Sequence, residues 1–121
     1  MAAKTTHPLI IKGTHIIIDI NEINDNELLK FSNTIEIILD KIVEKFNLSV
    51  VGKIIHQFQP FGVTGVYVLS ESHLSIHTFV EEKKIAMDLY TCNTFENSID
   101  VIDYIRSLFS PCMCNYKIIS R

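Results

Sequence analysis

One stretch of this chain concentrates nucleophiles and proton carriers: Glu71-Ser72-His73-Leu74-Ser75-Ile76-His77-Thr78, with Cys92 following Leu89-Tyr90-Thr91. Serine, histidine and cysteine are the groups that nucleophilic attack and proton transfer need. The Ser72 hydroxyl could attack the carbonyl that precedes it if the backbone were strained and a base lay near. His77 is the candidate base, and Cys92 is an acid or a nucleophile if its pKa is shifted. Residue types alone do not make a site, since such Ser/His/Cys sets are structural in most proteins and a free cysteine is usually a small buried apolar group. No metal is expected. His73 and His77 share a strand face but stand two steps apart, no third ligand accompanies them, and Cys112-Met113-Cys114 lacks zinc-site spacing. Gly13, Gly52, Gly62 and Gly65 form no phosphate loop. His7, His15 and His56 acquire no role.

The elements that must position these groups follow from periodicity. Thr14–Ile20 is rich in β-branched residues and reads as a strand. Leu28, Phe31, Ile35, Ile38, Leu39, Ile42 and Phe46 recur at helical spacing, which predicts a helix from about Asp25 to Phe46. Asn24 with Glu27 supplies its N-cap and reciprocal partner. Strands are expected over Ser49–Gln59, ended by Pro60 and Gly62, then Val63–Ser70, His73–Val80 and Lys84–Tyr90, with Glu81-Glu82-Lys83 as the turn between the last two. Phe95, Ile99, Ile102, Ile105 and Phe109 predict a second helix, capped by Asn93 and Glu96 and stopped by Pro111. Met113–Ile119 is a last strand. The order β-α-β-β-β-β-α-β implies an α+β two-layer sandwich, a mainly antiparallel sheet with two helices on one face. Strand alternation then puts His73, Ser75, His77 and Phe79 on the open face and Leu74, Ile76, Thr78 and Val80 toward the core. A ligand or a second copy covering that open face would explain its chemistry.

Phe58 to Cys92 resembles the S-adenosylmethionine decarboxylase proenzymes of bacteria and archaea. The pieces are Gly62-Val63-Thr64-Gly65-Val66, Glu71-Ser72-His73-Leu74-Ser75-Ile76-His77-Thr78 and Asp88-Leu89-Tyr90-Thr91-Cys92, with Lys12-Gly13-Thr14-His15 at the first strand. The resemblance implies a self-cleaving chain. Ser72 attacks the Glu71 carbonyl, and an ester forms. Elimination then leaves a β chain of residues 1–71 and an α chain of residues 72–121 that begins with a covalent pyruvoyl group. That ketone forms a Schiff base with the amine of S-adenosylmethionine and draws off the electrons as CO₂ departs. The product would feed spermidine and polyamine synthesis. By the same resemblance His77 assists processing, Thr64 stands where a processing serine is usual, and Cys92 protonates the product. Threonine keeps the hydroxyl but is stiffer about χ1. Phe58 would stack on the adenine, Glu81 would accept from the ribose hydroxyls, and His73 would line the pocket. A homodimer with sites near its interface is also implied. Phe79-Val80-Glu81 replaces the family's Trp-Pro-Glu, Asn93 replaces a glycine after the cysteine, and Phe61 replaces a more polar residue. Two rivals remain: a pyruvoyl-dependent ornithine or arginine decarboxylase of the same fold, and an unprocessed, inactive regulatory partner.

Bulk properties narrow the rest. A chain of 121 residues is one domain. Its apolar content of 47% with a net charge of only −3 excludes disorder and leaves no basic stripe for nucleic acid. Apolar runs such as Ile16-Ile17-Ile18 are too short to span a membrane. The first residues lack an apolar signal-peptide segment, so a cytoplasmic location is expected. Three cysteines, an odd number, fit a reducing compartment.

Overall fold

The computed structural model describes residues 13–92 and 98–121. The predicted α+β sandwich is what forms: β1 (Thr14–Asn21), α1 (Ser32–Lys45), β2 (Val50–Gln57), β3 (Val63–Leu69), β4 (Ser72–Phe79), β5 (Lys84–Thr91), α2 (Ser98–Ser107) and β6 (Met113–Ser120). The six strands make one sheet in the order β2-β3-β4-β5-β1-β6, with antiparallel neighbours throughout. No helix of the described residues is long and apolar enough to cross a membrane.

Both helices bury an apolar stripe on the same face of the sheet. Ile35, Ile38, Leu39, Ile42 and Val43 of α1 cover β2 and β3, while Val101, Ile102 and Ile105 of α2 cover β1 and β6. From the sheet come Ile16, Ile18, Ile20, Val63, Tyr67, Leu69, Leu74, Ile76, Ile85, Met87 and Leu89, at every second position as the period-two pleat requires. Gly65 allows α1 its close approach. A Cβ there would stand 3.3 Å from Leu39 Cδ1 and 3.4 Å from Ile76 Cγ2.

The first helix does not run from Asp25 to Phe46 as its periodicity predicts. Asp25 accepts the Glu27 N–H at 3.2 Å and closes a 3-10 turn over Asn26–Leu29. The predicted Asn24–Glu27 capping pair does not form. The Asn24 N–H goes to the Pro111 carbonyl, and the Glu27 carboxylate pairs with Lys30. Phe31 is extended, and α1 starts only at Ser32. The Ser32 N–H is capped from outside the helix by Gln57 Oε1 at 2.6 Å. Propensity cannot reveal such a cap, because its donor and acceptor lie 25 residues apart. At the other end Asn47 takes the left-handed conformation, φ 56°, that commonly stops a helix. The second helix ends at Ser107, short of Phe109, which is nonetheless buried. Its expected cap at Asn93 and Glu96, and Phe95 with them, lie outside the described residues.

The face without helices carries the outward side chains: Ile54 and His56 of β2, Thr64, Val66 and Val68 of β3, His73, Ser75, His77 and Phe79 of β4, and Ala86, Asp88 and Tyr90 of β5. They meet directly across the sheet, Ile54 opposite Val66, Val68 opposite His73, Thr64 opposite His77, and Asp88 opposite Ser75. Ile54 is 74% exposed and Val68 49%, part of an apolar patch of the kind that commonly marks an interaction surface.

Candidate active site

Strand β3 turns back into β4 through Ser70 and Glu71, since Leu69 already pairs with Ser72. So short a turn needs a left-handed residue, and Glu71 supplies it with φ 56°. Glycine or asparagine usually fills that position, so a β-carbon there is strained. The peptide bond after Glu71 leads directly into the Ser72 hydroxyl. Cys92, just past the end of β5, lies against both sides of that bond. Its backbone N–H donates to Ser72 Oγ at 3.2 Å, and its thiol donates to the Glu71 carbonyl oxygen at 2.9 Å. A nucleophile, the carbonyl it would attack and a donor on that carbonyl are thus held together. Donors aimed at the oxygen on which charge develops are the usual means of stabilising acyl transfer. A pocket of about 230 Å³ opens beside them, lined by Asn47, Ser49, Leu69, Ser70, Glu71, Ser72, Thr91 and Cys92 among others. Small-molecule sites typically run from about 300 to 1,000 Å³, so this one is small for a nucleoside substrate.

Other predicted site residues lie elsewhere. His77 accompanies Thr64, its cross-strand partner, with Nδ1 3.1 Å from Thr64 Oγ1. His77 stands five residue steps along β4 from Ser72, roughly 16 Å at a rise of about 3.3 Å each, and the two side chains leave opposite faces. Phe58 and Glu81 are at the His77 end too. Phe58 follows β2, half exposed, its ring 4.6 Å from that of His56. Gln57 anchors its loop by donating to the carbonyls of Lys30, Phe58 and Gly62. Glu81 is exposed in the β4–β5 turn. The predicted set therefore divides between two ends of one sheet: Glu71, Ser72, His73 and Cys92 at one, Phe58, Thr64, His77 and Glu81 at the other.

His73 is adjacent to Ser72 in the chain, but its imidazole goes to the open face. There Asp88 Oδ2 accepts from His73 Nε2 at 2.7 Å and from His15 Nε2 at 2.8 Å, and Asp88 Oδ1 accepts from the Ser75 hydroxyl. Burial alone would raise the Asp88 pKa. The hydrogen bonds from Ser75, His73 and His15 outweigh burial and bring it below the ordinary aspartate value. His15, His73 and Asp88 also present three potential metal-ligand atoms within 4.8 Å of one another. The tautomer of His15 disfavours that use. Arg121 Nη1 lies 3.3 Å from His15 Nδ1, and a guanidinium only donates, so Nδ1 accepts and the proton is on Nε2. A metal would need the Nε2 lone pair. Sequence reasoning assigned nothing to Asp88, Ser75 or His15. The available signal was a lone carboxylate in the middle of an otherwise apolar run, Ile85-Ala86-Met87-Asp88-Leu89.

Comparison with solved structures gives the class. The adenosylmethionine decarboxylase of Aquifex aeolicus superposes with a TM-score of 0.83 at 31% identity, over 92% of this chain and 91% of that one. The profile of the S-adenosylmethionine decarboxylase family matches residues 14–121, and the chain belongs to that family. Among its relatives, the S-adenosylmethionine decarboxylase proenzyme of Picrophilus torridus is 33% identical over 90% of this chain and 83% of its own length. That of a Sulfurihydrogenibium species is 37% identical over 90% and 81%.

Proposed function

We propose that this carboxy-lyase cuts itself between Glu71 and Ser72, converts Ser72 into a pyruvoyl group and removes CO₂ from S-adenosylmethionine. The observation that carries the reading is Cys92 against the Glu71–Ser72 bond, thiol on the carbonyl and amide on the nucleophile. Ser72 Oγ attacks the Glu71 carbonyl carbon as the peptide C–N bond breaks, and the freed nitrogen takes the hydroxyl proton. The strained Glu71 turn is released in that step. Loss of the Ser72 Cα proton then expels Glu71 as a carboxylate, and water replaces the nitrogen as ammonia leaves. The pyruvoyl supplies a ketone and an electron sink. Around it, Cys92 Sγ would return a proton to the product.

Thr64 and His77 cannot reach this bond within one copy. With His77 Nδ1 engaged by Thr64 Oγ1, its Nε2 is the nitrogen left to act as a base. A two-fold axis that lays two open faces together, each antiparallel to the other, would bring the partner's His77 and Thr64 to the Glu71–Ser72 end of the sheet. The partner's Phe58 and Glu81 would extend the small pocket toward adenine and ribose. Exposed Ile54, Val66, Val68 and Phe79 supply the apolar contact such a dimer needs. The free cysteines Cys92, Cys112 and Cys114 fit a cytoplasmic location.

Intact mass under denaturing conditions tests the cleavage. Two fragments are expected, residues 1–71 and residues 72–121, the second bearing a pyruvoyl in place of serine, while Ser72→Ala stays whole. A wild-type chain that remains one species after long incubation would favour an inactive partner. Turnover of ornithine or arginine, with none of S-adenosylmethionine, would reassign the substrate.

A further inference from the structure

The Asp88 cluster includes His73, the residue that follows Ser72 in the chain, and neither processing nor proton return to the product uses it. We propose that Asp88 is a positioning residue that clamps the new N-terminus of the α chain after cleavage. This rests on the self-cleavage reading above. While the chain is whole, the start of β4 is held from two directions, by its pairing to β3 and β5 and by the covalent turn through Ser70 and Glu71. Cleavage removes the turn. Residue 72 becomes a chain end, and chain ends fray unless tied down. The reactive ketone would be on that end, where a displacement of about 1 Å can cost roughly 100-fold in rate.

Asp88 is the available tie. It projects from β5 opposite Ser75 and takes hydrogen bonds from two alternate residues of β4, the Ser75 hydroxyl and His73 Nε2. His73 is the residue whose backbone nitrogen carries the acyl group of residue 72. The carboxylate is itself fixed from β1, where His15 Nε2 donates to the same oxygen and Arg121 holds the other His15 nitrogen. Tyr90 closes the cluster, its ring 6.2 Å from that of His73 and 5.8 Å from that of His15. A carboxylate with hydrogen bonds from three side chains on two flanking strands is a rigid anchor, and charge-assisted bonds are the stronger kind.

The clamp predicts an effect confined to the cut protein. Asp88→Asn, close in shape but unable to accept from all three donors, should cleave at near the wild-type rate. Its kcat on S-adenosylmethionine should then fall about 10- to 100-fold, with KM changed less than about threefold. Amide exchange at His73–Ser75 should rise in the cut Asp88→Asn protein but not in an uncut Ser72→Ala/Asp88→Asn chain. Ser75→Ala, which removes one tie and leaves the carboxylate, should show the same pattern at smaller size and serves if Asp88→Asn does not fold. A cleaved Asp88→Asn enzyme with wild-type kcat would overturn the proposal. So would faster exchange of equal size in the uncut double variant, which would make Asp88 merely structural. A wild-type chain that stays whole is a separate outcome, read by intact mass, and removes the cleavage reading and the clamp with it.

Discussion

Cys92→Ala removes the side-chain donor on the Glu71 carbonyl and leaves the Cys92 backbone N–H on Ser72 in place. The effect on self-cleavage can be bounded from two sides. An ordinary neutral hydrogen bond contributes about 0.5–1.5 kcal/mol, which at 1.36 kcal/mol per decade is a factor of about 2 to 13. A buried oxyanion donor contributes more, about 100- to 1,000-fold. The thiol is a weak donor and this turn is partly open to solvent, so the lower bound governs, and cleavage should slow about tenfold without stopping. Cys92→Ser keeps a donor at the same position and should recover most of that loss. The assay is the fraction of uncut chain with time after synthesis, read by mass or denaturing gel. Turnover by the cut Cys92→Ala enzyme should remain poor for a second reason, the missing proton donor. Cleavage of Cys92→Ala at the wild-type rate would refute the oxyanion argument, and so would Cys92→Ser cleaving no faster than Cys92→Ala.

The dimer is tested by complementation. Neither Ser72→Ala nor His77→Ala should be cut alone, but in an equal mixture half the dimers are mixed and each joins one intact Ser72 to one intact His77. About half of the His77→Ala chains should then be cleaved; none cleaved would place both residues in a single copy's site. The Asp88 carboxylate has its pKa lowered on folding. Its contribution to stability is therefore present above the ordinary aspartate value of about 4 and is lost as pH falls through the lower folded value. Urea midpoints of uncut Ser72→Ala should decline over that acid range, and the decline should be shallower with Asp88→Asn added; equal slopes would mean that the carboxylate is not held as described.

The layers of this fold were legible because burial imposes a period. Ile35, Ile38, Leu39 and Ile42 could face only one way, and the alternation along Leu74 and Ile76 separated core from open face correctly. The break at Phe31 was not legible, since Gln57 caps Ser32 from a distant strand. The chemistry of the turn was visible as residue types, Ser72 and Cys92, but not as geometry: nothing local says that a thiol after β5 meets a carbonyl before β4. Linear spacing misled more about His77. Five residues suggest proximity to Ser72, whereas in a strand they mean separation and an opposite face. The Asp88 cluster joins β1, β4 and β5, whose order in the sheet is not their order in the chain.

The division of predicted site residues between the two ends of one sheet has a temporal consequence. A newly folded, solitary chain cannot bring its own His77 to its own Glu71–Ser72 bond. Under the proposed scheme cleavage therefore waits on an encounter, at a rate that depends on how much of the protein has been made. Once cut, the bond does not re-form, so each α chain carries at its first residue a lasting chemical record that a second copy was met.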